Sequence, residues 1–168
     1  MKKLSLMIAL GLAAMPGLAS AADFSGLWIR DAAQSTGTNP SPLYWITRDL
    51  PAGGGGPGGE AGIVIAQTPT TVQVTSGNKP LRVYTTDGTG RTVKADTGVT
   101  DVTVSAAHRG DNLVITTVHP YSSLPGSVTT TTTETWSLSP DGRTMTVDTV
   151  RAVPGMTQAV KEVYNKRS

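Results

Sequence analysis

The chain has 168 residues, 38% of them hydrophobic and 15% charged, with 19 glycines, 11 prolines, no cysteine and a formal net charge of +2. That length fits one domain, and the charge content is too low for a chain held disordered by self-repulsion. The lack of cysteine excludes a disulfide framework, a thiolate nucleophile, cysteine-ligated zinc, an iron–sulfur cluster and a lipid-modified cysteine anchor.

Met1-Lys2-Lys3 forms a short positive start, Leu4 to Ala14 is an apolar run interrupted by Ser5, and Ala19-Ser20-Ala21 supplies a small-x-small pattern. These features predict a signal peptide over residues 1–21, cleaved after Ala21, with a cut after Ala22 as the alternative. The apolar run is too short to span a bilayer, which needs about 20 residues. The expected mature chain is then residues 22–168, destined for the periplasm or secretion. Lys2 and Lys3 leave with the signal peptide, so 12 of the 14 basic side chains remain against 12 acidic ones. A near-neutral mature chain carries no electrostatic footprint for nucleic acid or anionic lipid.

Phe24 to Arg30 reads as a first strand. Residues 31–62 contain Pro40, Pro42, Pro51, Pro57 and the tract Gly53–Gly59, which predicts a long Gly/Pro-rich loop. Within it Leu43 to Ile46 is the apolar patch, and its Tyr44 and Trp45 are candidates for a lid. From Ile63 the period becomes two, threonine (26 in the chain) and valine dominate, and turn signals recur at short intervals. The predicted strands are 25–30, 63–68, 71–76, 81–86, 100–108, 112–119, 127–138, 143–150 and 158–166. Asp87-Gly88, Arg109–Asn112 and Ser139–Gly142 carry the residues that tight turns require. No stretch sustains a helical period.

Alternation places Val102, Val104 and Ala106 on one face, with Leu113 and Ile115, Trp136 and Leu138, and Met145 and Val147 repeating the pattern in later strands. Polar residues fall opposite, as in a sheet with one dry side. The expected fold is all-β, a single antiparallel up-and-down barrel of about 8–9 strands. Closure into a barrel is expected to remove the two exposed edges of such a meander. A lipid-spanning barrel is disfavoured, because it needs aromatic girdles and strands of about 9–11 residues. This chain has 5% aromatics and several six-residue strands.

Asp23-Phe-Ser-Gly-Leu-Trp-Ile-Arg-Asp-Ala-Ala-Gln-Ser35 resembles the opening of uncharacterised exported bacterial proteins with a lipocalin-like (calycin-like) β-barrel. The resemblance resumes at Ile63-Val-Ile-Ala-Gln-Thr68, Tyr84-Thr-Thr-Asp-Gly88 and Arg109-Gly-Asp-Asn-Leu-Val-Ile115. It continues at Glu134-Thr-Trp-Ser-Leu-Ser-Pro-Asp-Gly-Arg-Thr144 and Val163-Tyr-Asn-Lys-Arg167. Each piece is a strand-plus-turn pattern, so the resemblance implies a fold and a compartment and no activity. Gly26-x-Trp28 is also similar to the short motif of lipocalins, in which the tryptophan closes the barrel floor under a basic residue of the last strand. Lys166 and Arg167 are the candidates for that partner through a cation–π contact.

Catalytic signals are weak. His108 and His119, the two imidazoles, are expected about 20 Å apart along one hairpin and cannot share a metal ion. His119 precedes Pro120 and is expected to end its strand. No serine lies in a G-x-S-x-G elbow. The glycine tract lacks the Lys-Ser/Thr of a phosphate loop. Glu134 shares a face with Trp136; if inward, it is a buried carboxylate needing a partner such as Arg82 or Arg151. The five threonines 129–133 suit a strand facing either solvent or a polar pocket.

The sequence therefore predicts an exported, lipocalin-like barrel that binds a small, partly apolar or amphipathic ligand, without cofactor or metal. Trp28, Tyr84, Trp136, Tyr164 and Glu134 are the candidate ligand-binding residues, and no residue is assigned a catalytic role. Small barrels hold one ligand or are filled solid by side chains. The rival is a filled barrel acting as an envelope structural or protein-interaction module. An enzyme using Glu134 or His119 at the barrel mouth is a third reading.

Overall fold

The computed structural model describes residues 21–36, 62–76, 79–94, 101–123 and 126–168. Every regular element among them is a strand. They are β1 (Gly26–Thr36), β2 (Gly62–Gln67), β3 (Thr71–Ser76), β4 (Lys79–Thr85), β5 (Arg91–Lys94), β6 (Asp101–Arg109), β7 (Asn112–Ser123), β8 (Gly126–Leu138), β9 (Thr144–Val153) and β10 (Met156–Arg167). All belong to one antiparallel sheet in the order β4-β3-β2-β1-β10-β9-β8-β7-β6-β5. The expected all-β, up-and-down architecture is the observed one, with ten strands rather than eight or nine. The signal peptide, the Leu43–Ile46 patch with Tyr44 and Trp45, and the Gly53–Gly59 tract lie outside the described residues.

Neighbours in sequence are neighbours in the sheet except at one place. β1 pairs with β2 and, through Trp28↔Lys166 and Arg30↔Tyr164, with β10. This first-to-last pairing curls the sheet. The break falls between β4 and β5, which are its two edges. The expectation that closure leaves no edges is thus corrected. The chain crosses the break as Thr86–Gly90, where Asp87 forms a single bridge with Ala107 and Gly88 N donates to Ala106 O at 2.8 Å. Gly88 does have the positive φ that the turn signal called for, 78°. It serves that crossing rather than a hairpin.

β5 was missed in the sequence because Arg-Thr-Val-Lys contains one apolar residue, and all four side chains are exposed. Its strand character comes from the Arg91↔Val104 to Lys94↔Asp101 ladder with β6. Two other differences have local causes. Pro154-Gly155 makes the turn joining β9 to β10, with Val153 opposite Met156 and Gly155 at φ 78°. Proline at the first corner and glycine at the second suit a type II turn, so both strands run longer than predicted. β7 likewise continues past Pro120 to Ser123, and His119 does not end it. Among the described residues the ladder with β6 stops at Thr103↔Val118, while β8 pairing continues through Pro120↔Thr129. Proline therefore sits where β7 is paired on one side, the position a strand tolerates.

The predicted turns at Arg109–Asn112 and Ser139–Gly142 are present. Arg109 opposes Asn112 directly, and Gly142 N donates to Ser139 O at 2.8 Å. The inward faces meet in one core built on Phe24, Trp28, Ile63, Ile65, Val72, Tyr84, Leu113 and Trp136, among others. Val102, Ala106, Ile115, Met145 and Val147 are buried as the alternation required.

Candidate ligand-binding interior

The floor is built from β1 and the segment before it. Trp28 is fully buried, and its Nε1 donates to Phe24 O at 2.8 Å. Gln67 ties this segment down from β2: its Oε1 accepts from Phe24 N at 3.0 Å and its Nε2 donates to Ala22 O at 2.9 Å. Phe24 and Tyr84 then meet Trp136 edge-on, with ring centroids 6.1 and 6.4 Å away. Such geometry sets a positive ring edge against a negative face.

Of the two basic candidates, Lys166 is the partner of Trp28. Its Nζ lies 5.3 Å from the ring centroid, and register places the two residues opposite each other. Arg167 pairs with exposed Leu27 on the other face. Gly26 explains the motif's glycine: at φ 139°, a Cβ here would meet Lys166 Cε at 2.6 Å.

Above the aromatic floor the same faces turn polar. Glu162 is fully buried; its Oε1 accepts from Arg30 Nε at 3.2 Å and its Oε2 from the Tyr164 hydroxyl at 3.4 Å. Sequence reasoning missed Glu162. The signal was there, since it alternates with Val160 and Tyr164 along β10, all three buried. Burial pushes the Tyr164 hydroxyl far above its ordinary range, and the charge of Glu162 pushes the same way. Glu134 adds to that shift while Arg30 opposes it. Tyr164 is therefore a permanent hydrogen-bond donor at any physiological pH.

Glu134 is buried, 3% exposed, between Ile115 of β7 and Thr149 of β9. Arg82 turns inward, and its Nη1 lies 3.5 Å from the Tyr84 hydroxyl. Arg151 is exposed at the level of Thr132, so it is not the interior arginine that the sequence left open. Within the threonine run, Thr130 is buried and Thr132 half-buried on the Glu134 face, whereas Thr129 is exposed. Among the described residues, Thr149 Oγ1, Trp136 Nε1 and His108 Nδ1 are buried without a hydrogen-bond partner.

The structure thus brings Trp28, Tyr84, Trp136, Tyr164 and Glu134 to one interior. The two histidines stand on different rungs of that same face, His108 opposite Leu113 and His119 opposite Thr130, and do not come together. No group of three or more His, Asp or Glu side chains among the described residues is placed to hold a metal ion. Among the described residues there is no helix long and apolar enough to cross a membrane.

No protein-family model matches the chain, and no curated protein matches it in sequence. Among solved structures it is similar to the crystal structure of a secretary abundant heat soluble (SAHS) protein from Ramazzottius varieornatus. The TM-score is 0.50 at 12% identity, covering 89% of this chain and 98% of that one. The crystal structure of secretory abundant heat soluble protein 4 from the same organism matches with TM-score 0.46 and 14% identity, over 86% of this chain and 95% of that one. At such identities the first likeness is one of fold alone, and it defines the class: an all-β, lipocalin-like barrel.

Proposed function

We propose that this protein is an exported lipocalin-like barrel that binds a small, partly apolar molecule in its interior. Trp28, Tyr84, Trp136 and Tyr164 form the walls, and Glu134 is a polar contact. The observation carrying this reading is the polar level of Glu134, Glu162, Tyr164 and Thr149 above an aromatic floor. A barrel whose interior served only as core would gain by being apolar there, because a buried ion pair is often replaced by apolar groups without loss of stability. Polar groups kept inside at that cost fit the role of orienting a ligand. Export and cleavage after Ala21 rest on the Lys2-Lys3, Leu4–Ala14 and Ala19–Ala21 pattern.

The test is native mass spectrometry on the protein purified gently from its exporting host. A mass beginning at Ala22, with a reproducible adduct of a few hundred daltons that is lost on denaturation, is expected. A bare mass, with no uptake of apolar probes, would overturn the binding reading. It would favour the filled barrel acting as an envelope structural or interaction module. One observation supports that second reading: edge strands β4 and β5 carry Val83 and Val93 at 61% and 45% exposure.

A further inference from the structure

Among the described residues, two of the buried polar atoms without a hydrogen-bond partner lie on the β8–β9 face of the interior, and His108 Nδ1 is another, on the rung of Leu113. Trp136 Nε1 and Thr149 Oγ1 are buried and make no hydrogen bond. The β8–β9 ladder sets Trp136 opposite Val147 and Thr149 opposite Glu134. The two therefore share a face on neighbouring strands, one step off register, at a diagonal separation of about 7–8 Å. An indole N–H can only donate, so whatever satisfies it must bring an acceptor. Left unmet, such a group bears its full desolvation cost.

Charge narrows the choice. Two carboxylates, Glu134 and Glu162, and two guanidiniums, Arg30 and Arg82, turn toward the interior. Arg30 is bound to Glu162 at 3.2 Å, and Arg82 reaches the Tyr84 hydroxyl at 3.5 Å. Arg151 and Lys166 share that face but are exposed, and the four charges that turn inward sum to zero. An anionic or cationic head would bring an unbalanced charge into a dry interior, which is costly with either sign.

We propose that the interior takes an elongated apolar molecule carrying a neutral oxygen, of the long-chain alcohol, ketone or ester class. That oxygen accepts hydrogen bonds from Trp136 Nε1 and Thr149 Oγ1. The assignment rests on the ligand-binding reading above and specifies its chemistry.

The experiment is calorimetric titration of the exported chain at pH 8 with 1-dodecanol, dodecanoate and dodecylammonium, alongside displacement of a polarity-sensitive apolar dye. Dodecanol is expected to bind at least about tenfold more tightly than either charged probe. Trp136→Phe and Thr149→Val are each expected to weaken dodecanol about five- to tenfold, the effect of one hydrogen bond. Should Trp136→Phe fail to fold, Thr149→Val decides alone. Tighter binding of a charged probe, or undiminished dodecanol binding in the variants, would overturn the headgroup assignment and leave the binding barrel standing. Failure of the dye and all three probes to bind would overturn both.

Discussion

Lys166 can lie across Trp28 because residue 26 has no side chain to obstruct it. The floor thus depends on a three-residue motif and on one lysine 138 positions away from Trp28, brought opposite it by the β1–β10 ladder. Trp28 is fully enclosed there, so Trp28→Ala is expected to destabilise the protein by about 3–5 kcal/mol, the range for a buried aromatic truncated to alanine. Urea denaturation would read it, and near-wild-type stability would contradict a structural floor. Tyr164 carries a pH dependence of defined sign. An unfolded tyrosine releases its proton near pH 10, whereas burial and Glu162 hold the folded one far above that. Below pH 10 both states are protonated, and the contribution to stability is complete. Above it the unfolded chain gives up a proton that the fold retains, and stability falls by up to about 1.4 kcal/mol per pH unit. Tyr164→Phe is expected to shallow that decline between pH 10 and 11.5 in the same urea measurement.

At the scale of elements, strength follows how many neighbours a strand has. β8 and β9 are paired on both sides along most of their length, while β5 is short, one-sided and wholly exposed. Amide hydrogen exchange is expected to be slowest in β8 and β9 and fastest in β5, since local opening is cheapest where few apolar contacts must break. Equal protection across the sheet would contradict this gradient. The tract Gly53–Gly59 is read as a linker, and its deletion is expected to change stability by less than about 1 kcal/mol, because loop-closure cost varies slowly with length. A large loss in thermal denaturation would mean that the tract packs on the body. Strand recognition succeeded where burial is one-sided, as in Trp136 and Leu138 against Thr135 and Ser137. It failed for Arg91–Lys94, where the strand is held by its neighbour's hydrogen bonds and not by any apolar face of its own. The Pro154-Gly155 turn was overlooked for a different reason. A turn signal set between two exposed, mixed stretches looks the same as an irregular loop until the register of both strands is known.

For the whole molecule, the first-to-last pairing of β1 with β10 shapes the interior and moves the open edges to β4 and β5. It also assembles the polar level, since Arg30 and Glu162 are 132 positions apart and meet only across that ladder. The all-β class, the meander, the principal turns and the apolar faces are legible in the chain before it folds. Each of these follows from local chemistry: a period of two, β-branched side chains, and glycine or proline at corners. Lys166 was legible too, as one of two candidates, because a known motif pointed to the last strand. Which strands end the sheet, which of Lys166 and Arg167 crosses Trp28, and the meeting of Glu162 with Glu134 in one interior are set by the folded sheet. Those outcomes depend on register and curl. Local composition is blind to both, because a shift of one residue would send every inward side chain to the opposite face.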